Sequence, residues 1–510
     1  MKILKSLVSV SMITFISRTL GFVRDILIAH VFGISLFTDA FFIAFKIPNL
    51  LRRIFAEGVF AQSFIPILME YKYTKKETYI KYFISCILGI IIFLLFILIL
   101  LGVFFARSII LISAPSFSLS LYKLTLATHL LIIMFPYILL ISLSSLLSSI
   151  LHAWNFFSIP SISPIFLNIS MIIFSVFFSS YFHPTIFALA WSVLIGGIIQ
   201  LFYQVPYLYK INMLVMPSIN FQHSGILRVL KRMGSAIIGS SANQISLMMN
   251  TVFSSLLNIG SVSWIYYADR LIEFPIGILG ASLSTILFTS LSKNYHQGII
   301  KKYKQSLDYS MRLSLILGIP SACICFFCSK PLVIILFQYG RFLDFDVLMT
   351  QKALELYSFG LVSFVLVKIF SCAFYACEEI NIPIRTSIFT IFLTQLINPI
   401  LIFYFQHAGL ALSVSISSWF NVFFLYWKLY QKNIFALRSN WYIFLLRLLS
   451  ATVVMVCILI IMLHIMPSWS IGSICNKIIR LFFVLLLSFI VYFCSLHVLG
   501  MRLLRVVYKI

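Results

Sequence analysis

The stretch 83-FISCILGIIIFLLFILILLGVFF-105 runs for 23 residues without a charge. As a helix it is about 34 Å long, enough to cross the roughly 30 Å hydrocarbon core of a bilayer. Its apolar residues are continuous rather than alternating, so it reads as a membrane helix and not as a strand of a barrel. The rest of the chain has the same character. Of 510 residues, 62% are hydrophobic and 10% are charged, and the mean hydropathy is +1.08. A soluble domain is about 45–50% apolar and about 25% charged. This balance excludes a soluble enzyme, a secreted disulfide scaffold and a disordered chain. At roughly 35 residues per span and loop, the chain holds about 14 membrane helices and no large soluble domain. The fold class is an all-α integral membrane protein.

Polar breaks place the spans near 7–31, 37–69, 83–106, 124–151, 157–180, 185–208, 226–256, 263–291, 308–329, 348–376, 384–404, 408–430, 441–465 and 478–500. The N-terminus, with Lys2 and Lys5 before an apolar run, lacks a small-residue cleavage site and continues into Arg18 and Arg24, so it reads as a retained first helix. The net charge of +24 is read as topology rather than as a nucleic-acid surface. If alternate loops share a side, 22 basic residues, among them Lys76, Lys302 and Arg505, fall with the two termini. Six fall opposite: Arg107, Lys123, Lys330, Arg341, Lys477 and Arg480. By the positive-inside rule both ends are cytoplasmic.

Nine basic residues remain inside spans: Arg18, Arg24, Lys46, Arg52, Arg53, Arg270, Lys352, Lys368 and Arg447. Lys352 and Arg447 fit snorkelling near helix ends. Deeper ions are costly and mark pathways. In the second span Asp39, Lys46, Asn49, Arg53 and Glu57 share an arc of about 80° at 3.6 residues per turn. Arg18 and Asp25 lie seven apart on one face of the first span, with Arg24 projecting about 120° away. In the eighth, Asp269, Arg270 and Glu273 cluster. Such charges can serve as internal ion pairs that tie helices together. Against that reading, five of the six deep cations Arg18, Arg24, Lys46, Arg52, Arg53 and Arg270 are arginine. Arginine binds phosphate with two parallel hydrogen bonds. A hydrated, arginine-rich pocket suits an anionic, phosphorylated substrate.

Span two, 46-KIPNLLRRIFAEGVFAQSFIPIL-68, and span eight, 273-EFPIGILGASLSTILFTSL-291, each set a charge two residues before a proline. Pro48 and Pro275 lie 227 residues apart, as in two related six-helix lobes with two helices appended. The lobes would be 1–210 and 211–435, and the appended pair 436–510. No G-x-x-x-x-G-K-[ST] phosphate loop occurs. The histidines, including His129, His152 and His407, are dispersed and carry no assigned role. Cys323, Cys325 and Cys328 read as small buried hydrophobes rather than as a metal site, and serines such as Ser144 and Ser148 as helix-packing residues. No cofactor or metal is expected.

The strings 17-SRTLGFVRD-25, 38-TDAFFIAFKIPNLLRRIFAEGVFAQSFIPILMEYK-72, 135-FPYILLISLSSLLSSILHAWNFFSIPSISPIFLNISMI-172 and 263-SWIYYADRLIEFPIGILG-280 resemble the MurJ (MviN) family of lipid II flippases, within the multidrug/oligosaccharidyl-lipid/polysaccharide (MOP) exporter superfamily. The similarity continues through 338-QYGRF-342 to 464-HIMPSW-469. It implies a MATE-like fold of two six-helix lobes around a cationic cavity, plus two C-terminal helices carrying a groove for a lipid tail. It implies a multi-pass protein of the bacterial cytoplasmic (inner) membrane that serves cell-wall synthesis as a transporter, not an enzyme. The partner would be lipid II, undecaprenyl-pyrophosphoryl disaccharide-pentapeptide, with membrane lipids around it and other cell-wall synthesis proteins as candidate partners. The resemblance places Ser17, Arg18, Arg24, Asp39, Asn49, Arg52, Arg53, Glu57, Ser263, Arg270 and Glu273 at substrate-binding or transport positions. Two other readings are an ion-coupled exporter of small molecules, which would need a mainly acidic pocket, and a non-transport scaffold for cell-wall assembly, which would tolerate loss of the pocket charges.

Overall fold

The computed structural model describes residues 2–55, 59–221, 223–432, 434–435 and 441–501. Among these residues every regular element is helical, and none is a strand. The chain divides into two compact units, the first running to Ser263 and adding Tyr339–Phe342, the second holding Trp264–Gln338 and everything from Leu343 onward.

The first unit contains α1 (Lys2–Phe32), α2 (Leu36–Phe55), α3 (Val59–Thr74), α4 (Glu77–Phe104), α5 (Ala106–Ser113), α6 (Leu121–Met134), α7 (Tyr137–Ala153), α8 (Ser158–Ile173), α9 (Phe187–Lys210) and α10 (Ser224–Ser255). Helix α1 packs on α8, α2 on α6, and α9 on both α7 and α8. The span expected over 124–151 is observed as one span, Leu121–Ala153, within which Pro136, having no N–H to donate, separates α6 from α7. The expected lobe limits follow the internal repeat, whereas the packing limit lies later, because α10 packs on α2 and α3. Arg228 on α10 pairs with Glu70 on α3 at 2.9 Å. The segment before α10 is laid along α4, where Ser218 N–H donates to the Ser85 carbonyl at 3.0 Å.

Of the motif 338-QYGRF-342, Tyr339–Phe342 belong to the first unit. Arg341 N–H donates to the His30 carbonyl at 3.1 Å. Gly340 at φ +61° and Gly33 at φ +64° hold left-handed backbone, and a Cβ on Gly340 would lie 2.3 Å from the His30 carbonyl oxygen. Both the conformation and the close approach demand glycine.

The second unit contains α11 (Ser261–His296, entering from the first), α12 (Ile300–Phe327), α13 (Ser329–Phe337), α14 (Asp344–Ser358), α15 (Leu361–Ala376), α16 (Asn381–Phe405), α17 (His407–Gln431), α18 (Trp441–Ile465) and α19 (Ile474–Val498). Helices α14 and α15 form one expected span bent by 42°. The hydroxyl of Ser415 on α17 donates to the Leu356 carbonyl beside the bend at 3.0 Å. A neighbouring helix thus supplies a donor at the bend, as a membrane requires. Helices α18 and α19 are fixed on α12. Trp441 Nε1–H donates to Asp308 at 2.6 Å, and the Arg312 guanidinium lies 4.8 Å and 4.7 Å from the Trp441 and Phe444 rings. The Tyr492 hydroxyl donates to the Ile316 carbonyl at 2.7 Å. Cys328 packs as a hydrophobe with Ile324, Ile335, Leu459 and Leu481.

Nine described helices are long and apolar enough to cross a membrane, or ten if the bent pair is one span. Helix α2 falls outside that set because it carries Asp39, Lys46, Arg52 and Arg53 within 20 residues.

The start of α10 holds a titratable cap. Neutral His223 accepts the Gly225 N–H on Nδ1 at 3.2 Å, and its ring lies 5.9, 5.8 and 5.6 Å from those of Tyr71, Tyr82 and Phe83. Burial, and then the nearby Arg228 charge, push its pKa below the usual histidine value. Protonation would turn the acceptor into a donor. The folded state therefore binds this proton less well than the unfolded chain, so the cap contributes fully above about pH 6.5 and fades as pH falls below it. We expect His223→Ala to cost about 1 kcal/mol at pH 8. Thermal unfolding should show that gap closing towards pH 5; a gap independent of pH would contradict the assignment.

Candidate functional site

In the first unit, Arg24 on α1 is 7% exposed. Its Nη2 and Nε donate to Asp25 Oδ1 at 2.7 and 3.0 Å, and its Nη1 donates to Asn168 Oδ1 on α8 at 3.0 Å. Asn168 Nδ2 donates in turn to the Ser17 carbonyl at 3.1 Å. One amide thus ties two turns of α1 to α8 and orients the guanidinium. Asp25 pairs with Arg24, its neighbour, rather than with Arg18, which shares its face and stands exposed. A long arginine side chain reaches round the helix to a carboxylate about 100° away.

Asp39, in the first turn of α2, is 6% exposed. Its carboxylate accepts from Gly260 N–H at 2.6 Å, Ser263 N–H at 3.0 Å and the Ser263 hydroxyl at 2.6 Å. These donors belong to the start of α11, where a negative charge also meets the positive end of the helix dipole. The structure therefore brings together two sequence-selected residues, Asp39 and Ser263. It also removes Asp39 from the water-facing stripe that the helical angle suggested. Along the same helix Arg52 Nε donates to Asn49 Oδ1 at 2.9 Å. Lys46 and Arg53 are half-buried. Glu57 lies outside the described residues.

In the second unit Arg270 and Glu273 form the expected i,i+3 pair at 2.9 Å, with side chains 28% and 50% exposed. The guanidinium sits 5.0 Å from the Tyr266 ring, and its Nη2 donates to the Tyr266 hydroxyl at 3.3 Å. The Tyr357 hydroxyl donates to Asp269, the third member of the cluster. Sequence reasoning missed Asn168, Tyr266 and Tyr357. A lone amide or phenol in an apolar helix has no periodic partner; the signal available for Asn168 was its place opposite the charged face of α1.

The arrangement offers guanidinium groups that already hold oxygen anions. Such groups suit carboxylate or phosphate oxygens. A family model described as lipid II flippase MurJ matches residues 28–480. The chain belongs to the MurJ family. A probable lipid II flippase MurJ of Buchnera aphidicola subsp. Acyrthosiphon pisum is 63% identical over 509 residues, covering 100% of each chain. A lipid II flippase MurJ of Burkholderia cenocepacia is 38% identical over 459 residues, covering 89% of each. A solved lipid II flippase MurJ in an inward closed conformation superposes with a TM-score of 0.81 at 25% identity, covering 96% of this chain and 99% of that one. An inward-facing MATE transporter of the MOP superfamily gives a TM-score of 0.67 at 13% identity, covering 82% and 95%, a likeness of fold alone. The MurJ fold expected from sequence is thus the fold observed.

Asn168 supplies a test of the buried cluster. Asn168→Leu removes the partner of a charged donor, worth roughly 1.5–3 kcal/mol. We expect a matching loss of thermal stability in purified protein, with Asn168→Gln intermediate. An unchanged unfolding midpoint for Asn168→Leu would contradict the clamp.

Proposed function

We propose that this chain carries lipid II from the cytoplasmic to the outer leaflet of a bacterial inner membrane by alternating access, with both termini in the cytoplasm. The observation that carries this reading is the end-to-end match, 63% identical over 509 residues, to a probable lipid II flippase. The arginine chemistry supports it. The substrate's pyrophosphate needs planar, bidentate donors, and its undecaprenyl tail remains in lipid, along α18 and α19 in this reading. Other cell-wall synthesis proteins are candidate partners.

The two well-described arginine pairs take different parts. Arg270 and Glu273 are partly exposed, and such a pair contributes about 0–1 kcal/mol. A pyrophosphate can therefore replace Glu273 at small cost. Arg24 and Asp25 are buried with Asn168, and breaking such a pair costs about 3–5 kcal/mol. Arg24 in this reading holds α1 in shape and sets the local charge, while Arg270, with Arg18, Arg52 and Arg53, meets the substrate. Ser17, Asn49 and Glu57 complete the set. Arginine as the prevailing cation of these helices favours this cargo over the cation expected of an acidic exporter site.

The deciding assay is the accessibility of lipid II in the outer leaflet of cells depleted of other flippases, with and without this chain. Restored accessibility is expected; its absence at normal protein level would refute the reading. Among variants, Arg270→Ala should lower transport without lowering thermal stability, and Arg270→Lys should recover part of it, since Lys keeps the charge but loses the fork. Arg24→Ala and Arg24→Lys should both lose stability, because neither reaches Asp25 and Asn168 together. Full transport by Arg270→Ala would return that residue to a purely structural ion pair.

A further inference from the structure

We infer that Lys123 is a positioning residue that acts through Asp39, as the alternative partner the carboxylate takes when the start of α11 leaves it. The inference deepens the proposed lipid II transport and rests on it. Lys123 stands in the first turn of α6 and, with Asp39, Ser116, Ser120, Asn258 and Val262, lines a pocket of about 300 Å³. Among the described residues its ammonium has no hydrogen-bond or ion-pair partner, and it lines the same pocket as the Asp39 carboxylate. It is one of six basic residues on the side with few cations in the charge map.

Asp39 draws its three donors from Gly260 and Ser263 at one helix start. A buried carboxylate stripped of donors is costly. Any conformation in which Gly260 and Ser263 withdraw must therefore supply a substitute or be too rare to serve a cycle. Lys123 meets the need. It is half-buried in the same pocket. Its ammonium rides on a flexible stem with three donors, and the pocket gives it room to move. The ammonium thus lowers the energy of the released arrangement without contributing a contact to the clamped one. Removing it should tighten the clamp, whereas deleting a residue that merely holds structure would loosen it.

Amide hydrogen exchange at Gly260–Ser263 in the purified chain, together with lipid II movement in vesicles containing it, tests this. In Lys123→Met, exchange at these amides should slow about tenfold and transport should fall by a similar factor, a typical size for coupling between two sites. Lys123→Arg should restore both to within about threefold. Asp39→Asn should exchange faster, and adding Lys123→Met to it should change nothing further, since the two act as one unit. Exchange that is unchanged or faster in Lys123→Met would overturn the inference. If exchange slows as described while the wild-type chain moves no lipid II, the latch stands and the transport reading falls.

Discussion

A charge out of water stays charged only where donors or counter-ions surround it, and in a bilayer those partners must come from the protein. Asp39 shows how far this constraint reaches. Its carboxylate is satisfied by the backbone and side chain at the start of another helix, so the position of α2 and the beginning of α11 are fixed together. Arg24 does the same for α1 and α8 through Asn168. Arg312 does it for α12 and α18 through Asp308 and two aromatic rings. Each of these ions fixes which turn of one helix meets which turn of another.

The same constraint explains how a membrane transporter can keep arginines ready for an anion. A bare guanidinium would be costly to hold in the membrane, so Arg24 and Arg270 are each occupied by a carboxylate of their own helix. Exposure separates their fates. In the transport proposed above, the half-exposed Glu273 is the replaceable occupant and the buried Asp25 the permanent one.

The sequence made the class of fold plain because runs such as 83–105 have one physical solution. It also made plain the i,i+3 pair Arg270–Glu273, since neighbours on one helix face need no tertiary knowledge. It misplaced Asp39. The helical angle put it on a stripe with Lys46 and Arg53, but an angle says nothing of what waits at the end of a helix, and Asp39 meets the start of α11. It did not show that Asp25 pairs with Arg24, because a helical angle ignores the reach of a long side chain. The bend between α14 and α15 was hidden by apolar continuity, which measures thickness and not direction.

In the proposed cycle the substrate's phosphates compete with built-in carboxylates for arginine. That competition is tested most directly by the affinity of the purified chain for lipid II and for the same lipid lacking its pyrophosphate, measured for wild type and for Glu273→Gln. Glu273→Gln should bind lipid II more tightly than wild type and gain nothing for the lipid lacking its pyrophosphate. Equal or weaker binding of lipid II by Glu273→Gln, in a protein of unchanged thermal stability, would contradict it.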